Sequence, residues 1–580
     1  MHFMKAITGA CVLAACAAVV PSASAQTLQV LTAGSSAQFG PFAVGAYALA
    51  RNGGATAYHY TVKSGACPTS TTSGCYAFLD DSRTVSSNTV PLEPGNLWVV
   101  WSTNGIWAYL SVDSIVGVRN FMAVPRATMG LGALASLPLS TTSNYLYWPD
   151  GTKDTALTST VYAALNGKAL TAANTDVRPE DALYATNRAL NTLGYGKVAD
   201  PRSGHSGQFL IGNPIISEFT STAVANPVSF ALAGDDPMSG SPAPTTYLTI
   251  PIGAAPIAFV ASTASGSTTA GATNITSANA ASLFSGTGNC VDTLVTGATG
   301  AINPIMREPI SGTMNTTEFT VFQANGRGVA GSQENGVSAT ANNPLDKACG
   351  SGFRQRGVGT GDVVKAVIAH PNSLGYVFFS FETTGGGSTD KYITLNGIDP
   401  INKTYSTGTL PTCPTSSGYY NCPVAGGTSF PNLRNGTYPA WSIYRVVTDT
   451  SVTLPNGTKA STNVATLVAK AQALVNSQVP DFVPFTPVCS TSTTGTNDPG
   501  LAVYREHFVP STIATIPNTI TITPNDGSLG STVTCTLKRA SLPALTLGGG
   551  VEAGGDVGGT IQGPFTTSPT YPGPTESQPH

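Results

Sequence analysis

Charge is scarce in this chain: 27 Lys and Arg and 30 Asp and Glu among 580 residues leave a net charge of −3, and charged residues make up only 10%. No basic cluster or stripe stands out, which excludes the electrostatic footprint that a nucleic-acid binder needs. Six His residues are scattered without ligand spacing, and no C-x-x-C pair occurs, so a zinc site is excluded by pattern. After Val20 no apolar run is long enough to span a bilayer. Catalytic signatures are equally thin. Gly204-His205-Ser206-Gly207 is the one local constellation that brings a His next to a Ser, and it is not a G-x-S-x-G elbow. The chain therefore reads as a non-enzyme with no cofactor.

What is abundant is Gly, Thr, Ser, Asn and Ala around short β-branched runs, a composition suited to an exported protein with many loops. The first 25 residues read as a signal peptide. Lys5 supplies a basic start, Ala6 to Val20 an apolar stretch, and Ala23-Ser24-Ala25 a small-residue cleavage site. Leu13-Ala14-Ala15-Cys16 is similar to a bacterial lipoprotein box, but the apolar run continues past it and a better site follows. The expected location is the periplasm or the extracellular space. Removal of the leader leaves eight cysteines, an even number in an oxidising compartment, which permits 105 pairings. Proximity favours Cys67–Cys75 and Cys413–Cys422; Cys290–Cys349 and Cys489–Cys535 follow by elimination.

About 550 mature residues exceed a single core, so at least two lobes are expected. The most informative stretch is Arg307-Glu308-Pro309-Ile310-Ser311-Gly312-Thr313, followed by a helix-compatible run from Met314 to Ala324. Arg offers a planar fork of donors matched to an oxyanion. Ser311 and Thr313 add hydroxyls, Gly312 permits close backbone approach, and a new helix points its free N–H groups at the same place. The combination reads as anion capture.

Other segments stand in an order that resembles phosphate-binding proteins of the PstS type, the periplasmic solute-binding proteins of type II fold. Gly34-Ser35-Ser36-Ala37-Gln38-Phe39 looks like their opening glycine loop, and Thr175-Asp176 resembles their Ser-Asp turn. Arg307 to Thr313 is similar to their R-x-x-x-S-G-T segment; Gly361 to Val377 resembles their helix followed by an "IGYV" strand. Tyr438 to Val447 looks like the strand before the final helix, and Pro480 to Phe485 resembles a terminal "YxPLP" element. The matches span roughly residues 30 to 487 of a chain longer than a typical member.

The resemblance implies an α/β, two-lobed fold. Lobe 1 would cover 26–255 with a β-rich insertion at about 55–110, lobe 2 would cover 256–430, and 431–545 would return to lobe 1 with an added β-hairpin. Helices are expected over Thr158 to Ala172, Pro179 to Leu193 and Val464 to Val475, and Tyr247 to Ala261 would cross between lobes. Residues 546–580, rich in Gly, Pro and Thr, are expected to form a disordered tail. Trp98, Trp101 and Trp107 are read as core rather than as an exposed binding face.

The implied ligands are the backbone N–H groups of Gln38 and Phe39, with Ser114, Asp176, Arg307, Ser311, Gly312 and Thr313. A carboxylate at Asp176 would accept a hydrogen bond from a protonated phosphate oxygen and reject sulfate, which has no proton to give. Three departures from the family stand out. Gln38 lacks the usual hydroxyl, Asp113 replaces a glycine before Ser114, and Pro309 replaces an Asp that steadies the Arg, with Glu308 as a substitute. The implied partners are phosphate or a similar oxyanion and an ABC transporter permease, with the protein a monomer. The rival reading is a structural or adhesive surface protein that keeps the fold without a ligand.

Overall fold

The computed structural model describes residues 26–61, 96–131, 155–182, 228–231, 244–322, 348–379, 389–401, 430–475 and 482–485, with short gaps inside some ranges, and four short strands. It is a mixed α/β structure around one curled sheet. In chain order the strands are β1 (Leu28–Gly34), β2 (Thr56–Thr61), β3 (Asn96–Ser102), β4 (Gly105–Ser111), β5 (Thr128–Leu131), β6 (Ala172–Thr175), β7 (Val228–Ala231) and β8 (Tyr247–Ser262). There follow β9 (Asn274–Ile275), β10 (Val295–Thr296), β11 (Asn303–Met306), β12 (Ala348–Cys349), β13 (Gly352–Phe353), β14 (Gln355–Arg356), β15 (Ser373–Phe378), β16 (Asp390–Leu395), β17 (Trp441–Asp449) and β18 (Val483–Pro484).

The main path runs β10-β9-β16-β8-β17-β6-β1-β4-β3-β2. β8 is its hinge: β17 pairs with its whole first part, and β15 and β16 pair with its last third. All but one of its 16 residues are buried, the pattern of a strand covered on both faces. Pro251 has no N–H to give the ladder, and the register with β17 shifts beside it, between Tyr444 and Arg445. The boundary expected at 255–256 thus falls inside one continuous strand.

Two apolar clusters hold the layers together. One joins Phe42, Trp98, Ile252, Phe259, Tyr376 and Val468; the other gathers Leu31, Leu110, Ile115, Val118 and Val447. Each such side chain contributes roughly 1.5–3 kcal/mol when fully buried. The helix Phe39–Ala50 lies on the helix Ala460–Val475, closely enough that a methyl group on Gly45 would touch Ala471 Cβ at 3.3 Å.

Several expectations change here. The described part of the segment taken as an insertion is integral to the sheet, because β4 runs parallel to β1 and β3 and β2 continue from it. Trp98 and Trp107 are buried, Trp98 against Phe39 and Tyr109, while Trp101 is half-buried. The expected helix from Thr158 stops at Leu165, where Asn166 turns extended and Gly167 takes φ +73; Ala172 already belongs to β6. In the tail, Gly559–Thr560 forms a short strand on Thr249 and Leu248 of β8. Thr519–Ile522 and Cys535–Arg539 pair as an antiparallel hairpin, with Val503–Tyr504 alongside. Cys290 and Cys349 form a disulfide with Cα atoms 5.3 Å apart. Cys67, Cys75, Cys413, Cys422 and Cys489 lie outside the described residues, as does most of Pro179 to Leu193.

Candidate functional site

β1 ends at Gly34, with φ +139, where any Cβ would overlap the carbonyl of Asn174. This close approach lets Ser35 N–H donate to Asn174 O at 3.0 Å. The Ser35 hydroxyl accepts from Ala37 N–H at 3.2 Å and donates to Asp176 Oδ1 at 2.6 Å. Gln38, which lacks the hydroxyl usual at its place, uses its amide instead. Its Nε2 donates to Asp176 Oδ1 at 3.1 Å and to Thr175 O at 3.0 Å, and its Oε1 accepts from Asn174 Nδ2 at 2.7 Å. The backbone N–H groups of Gln38 and Phe39 donate to Ser35 O and Ser36 O, inside the 3₁₀ turn Ser36–Gln38.

The loop after β4 brings Ser114, whose hydroxyl donates to Asp176 Oδ2 and accepts from Asp176 N–H, both at 3.2 Å. Ser114 is the first residue of the helix Ser114–Met122; Asp113 is its N-cap. The Ser114 hydroxyl is therefore turned onto Asp176. The Asp113 carboxylate makes no cap hydrogen bond either.

Arg307 follows β11 and is buried. Its Nη1 donates to Thr313 Oγ1 at 3.1 Å and to Thr360 Oγ1 at 3.3 Å, and its Nη2 meets Asp113 Oδ1 at 3.3 Å. Asp113, from the loop after β4, thus places a carboxylate on this guanidinium; Glu308, Pro309 and Ile310 lie outside the described residues. Ser311 caps the helix Gly312–Thr320 by accepting from Thr313 N–H at 3.1 Å and Met314 N–H at 3.3 Å.

Gly312 joins the two sets of loops. A Cβ added there would lie 2.6 Å from Asp176 Oδ2 and closer still to Ser114 Oγ. The N-terminal turn of the Gly312–Thr320 helix therefore abuts the Ser114–Asp176 pair directly. Ser35, Ser114, Asp176, Gly312, Ser311, Thr313 and Arg307 are all buried and are linked by successive contacts.

Burial raises the Asp176 carboxyl above its ordinary 3.8, against the opposing pull of hydrogen bonds from Ser35, Gln38 and Ser114 and of the nearby Arg307 charge. Its backbone carbonyl is fixed from below by Ser442 Oγ at 2.7 Å and Arg445 Nη1 at 3.2 Å. Asp113, Thr360, Ser442 and Arg445 were not singled out as site residues from the sequence. Asp113 was visible only as a departure from a family glycine; Ser442 and Arg445 lie on β17 with no local motif. Among the described residues no group of His, Cys, Asp and Glu gathers as a metal site, and no helix is long and apolar enough to cross a membrane.

No protein-family model matches the chain, and no curated protein does. Solved structures similar to part of it include one described as a phosphate ABC transporter substrate-binding protein with bound phosphate from Clostridium perfringens. It is 14% identical, with a TM-score of 0.25, over 40% of this chain and 71% of that one. An ABC-type phosphate transport receptor from Vibrio cholerae matches at 14% identity and TM-score 0.23, over 40% of this chain and 71% of that one. PstS from Borrelia burgdorferi matches at 15% and 0.22, over 40% and 70%. Likenesses at this level carry no functional inference for this chain.

Proposed function

We propose that this chain is a solute-binding protein that captures phosphate, or a similar tetrahedral oxyanion, in a cleft between two lobes that meet at Gly312. The observation that carries the reading is a buried carboxylate, Asp176, that takes the hydroxyls of Ser35 and Ser114, abuts the capped Gly312 helix N-terminus and lies within the influence of the buried Arg307 charge. Arg307 supplies charge and a directional fork. Thr313 supplies a hydroxyl, Ser35 and Ser114 hold the Asp176 carboxylate by donating their hydroxyl protons to it, and the first turn of the Gly312–Thr320 helix supplies a favourable dipole. Asp176 accepts from a protonated ligand oxygen. A buried carboxyl whose affinity for protons is already raised suits that role, since it favours a hydrogen shared with the ligand. Sulfate would set an acceptor against an acceptor, at a cost of several kcal/mol if fully desolvated.

The same proposal includes an export signal over 1–25, the disulfides Cys67–Cys75, Cys413–Cys422 and Cys489–Cys535, and delivery of the anion to an ABC transporter permease. Titration calorimetry against phosphate, sulfate, arsenate and molybdate tests it. Phosphate and arsenate should bind and sulfate should not. A protein that gives no heat and no melting shift with any of the four, at millimolar concentration, is instead a scaffold without a ligand.

A further inference from the structure

Gln38 is the N-cap of the helix Phe39–Ala50, yet its side chain caps nothing and is spent on a buried chain of hydrogen bonds. The chain begins at Thr32 on β1, whose hydroxyl donates to Asn174 Oδ1 on the neighbouring β6 at 2.6 Å. That contact turns the Asn174 amide so that Nδ2 donates to Gln38 Oε1 at 2.7 Å. Gln38 cannot be reversed either. The other end of its amide lies 3.0 Å from the Thr175 carbonyl and 3.1 Å from Asp176 Oδ1. A carbonyl only accepts, so that end is the nitrogen. The order of donors is therefore fixed from Thr32 through Asn174 and Gln38 to Asp176. Ser35 and Ser114 point the same way: each hydroxyl accepts a backbone N–H, from Ala37 and Asp176, and gives its own proton to the carboxylate. A proton on Asp176 Oδ1 would meet an N–H and an O–H, donor against donor. These contacts favour the ionised carboxylate and oppose the effect of burial.

We propose that the Gln38 side chain is a specificity-determining group of the oxyanion site: aimed through Asn174 by Thr32, its amide holds Asp176 as a pure acceptor, so that the ligand oxygen facing the carboxylate has to carry the proton. This rests on the oxyanion reading of the site. The serine hydroxyls can each rotate their proton away from Asp176. The amide cannot, because Asn174 holds one of its ends and the Thr175 carbonyl the other.

The test uses three variants of the full-length protein. Gln38→Met keeps a similar volume and removes the donor. Gln38→Glu sets a second carboxyl against Asp176, so that the buried pair retains a shared proton. Thr32→Val removes the hydroxyl that orients Asn174. Phosphate is titrated calorimetrically at one neutral pH and sulfate by competition against it, with thermal unfolding as the control for folding. The preference for phosphate over sulfate should fall on the order of tenfold in Gln38→Met and further in Gln38→Glu, since a carboxyl that holds a proton can donate to sulfate. Thr32→Val should move the preference in the same direction by less. A preference that stays within about twofold of wild type in Gln38→Met, whatever happens to the two affinities together, overturns the proposal and leaves the oxyanion reading standing. If Gln38→Glu does not unfold cooperatively, Gln38→Met and Thr32→Val decide by the same ratio. A wild type that binds sulfate as tightly as phosphate also overturns it, and a wild type that binds neither anion removes the oxyanion reading and this proposal together.

Discussion

Replacing Gly312 by Ala is the sharpest perturbation that the structure offers, because it adds one methyl group at the point where the two sets of loops meet. That Cβ would lie 2.6 Å from Asp176 Oδ2 and 2.9 Å from Asp176 Cβ, well inside the 3.4 Å where ordinary contact begins. Neither neighbour can yield cheaply. Asp176 is held by Ser35, Gln38 and Ser114 through its carboxylate and by Ser442 and Arg445 through its carbonyl. The helix must therefore back away, which spoils the approach of its first N–H groups to the site. Overpacking of this kind costs about 1–3 kcal/mol, or roughly 5- to 150-fold in affinity if it falls wholly on the closed state. The helix itself is little affected, since Gly312 is only its first residue and the Ser311 cap is untouched. Calorimetric titration with phosphate and thermal unfolding without it separate the two effects: affinity should fall while the melting temperature stays level. Binding within about twofold of wild type would refute the reasoning, as would a loss of binding that merely follows loss of cooperative unfolding.

Arg307→Ala should abolish measurable oxyanion binding, a charge-assisted contact in a closed cleft being worth about 2–4 kcal/mol, or roughly thirtyfold and upward; unaltered affinity would show that the anion does not touch Arg307. Asp176→Asn should keep some phosphate binding but gain sulfate, because the amide can donate where the carboxylate cannot, and an unchanged sulfate-to-phosphate ratio would remove Asp176 as the selectivity element. Burial lowers the His59 imidazole from 6.5 to about 3, so its contribution to stability is present above about 6.5 and is lost as pH falls towards 3. His59→Leu should flatten that part of the acid unfolding curve, and identical pH profiles would contradict the assignment. Thiol labelling of the denatured, unreduced mature protein should find no free cysteine; two or more labelled residues would break the four-disulfide framework.

Local rules account for what was readable in the chain. Ser311 caps the next helix because its hydroxyl needs to reach only two or three residues onward, and the turn is written in Ser311-Gly312-Thr313 itself. The helix expected over Val464 to Val475, observed as Ala460–Val475, and the apolar stretch Tyr247 to Ala261, observed as the strand Tyr247–Ser262, were legible for the same kind of reason: the first repeats with helical period, and the second is a long apolar run. The placement of β4 was not legible. Residues 96–111 look like any hairpin, and only the parallel register of β4 with β1 makes it a sheet centre that delivers Asp113 and Ser114.

By itself, then, the sequence determined the elements, the capped Gly312 turn and the residue types suited to an oxyanion, all properties of contiguous segments. Which carboxylate faces Arg307 was decided only by the tertiary structure. Asp113, which meets it, lies 194 residues away in the chain. Gln38 likewise stood for a missing hydroxyl until the fold set its amide on Asp176. Side-chain partners across a cleft depend on how separate loops are carried together by β1, β4, β6 and β11, and no local spacing encodes that distance.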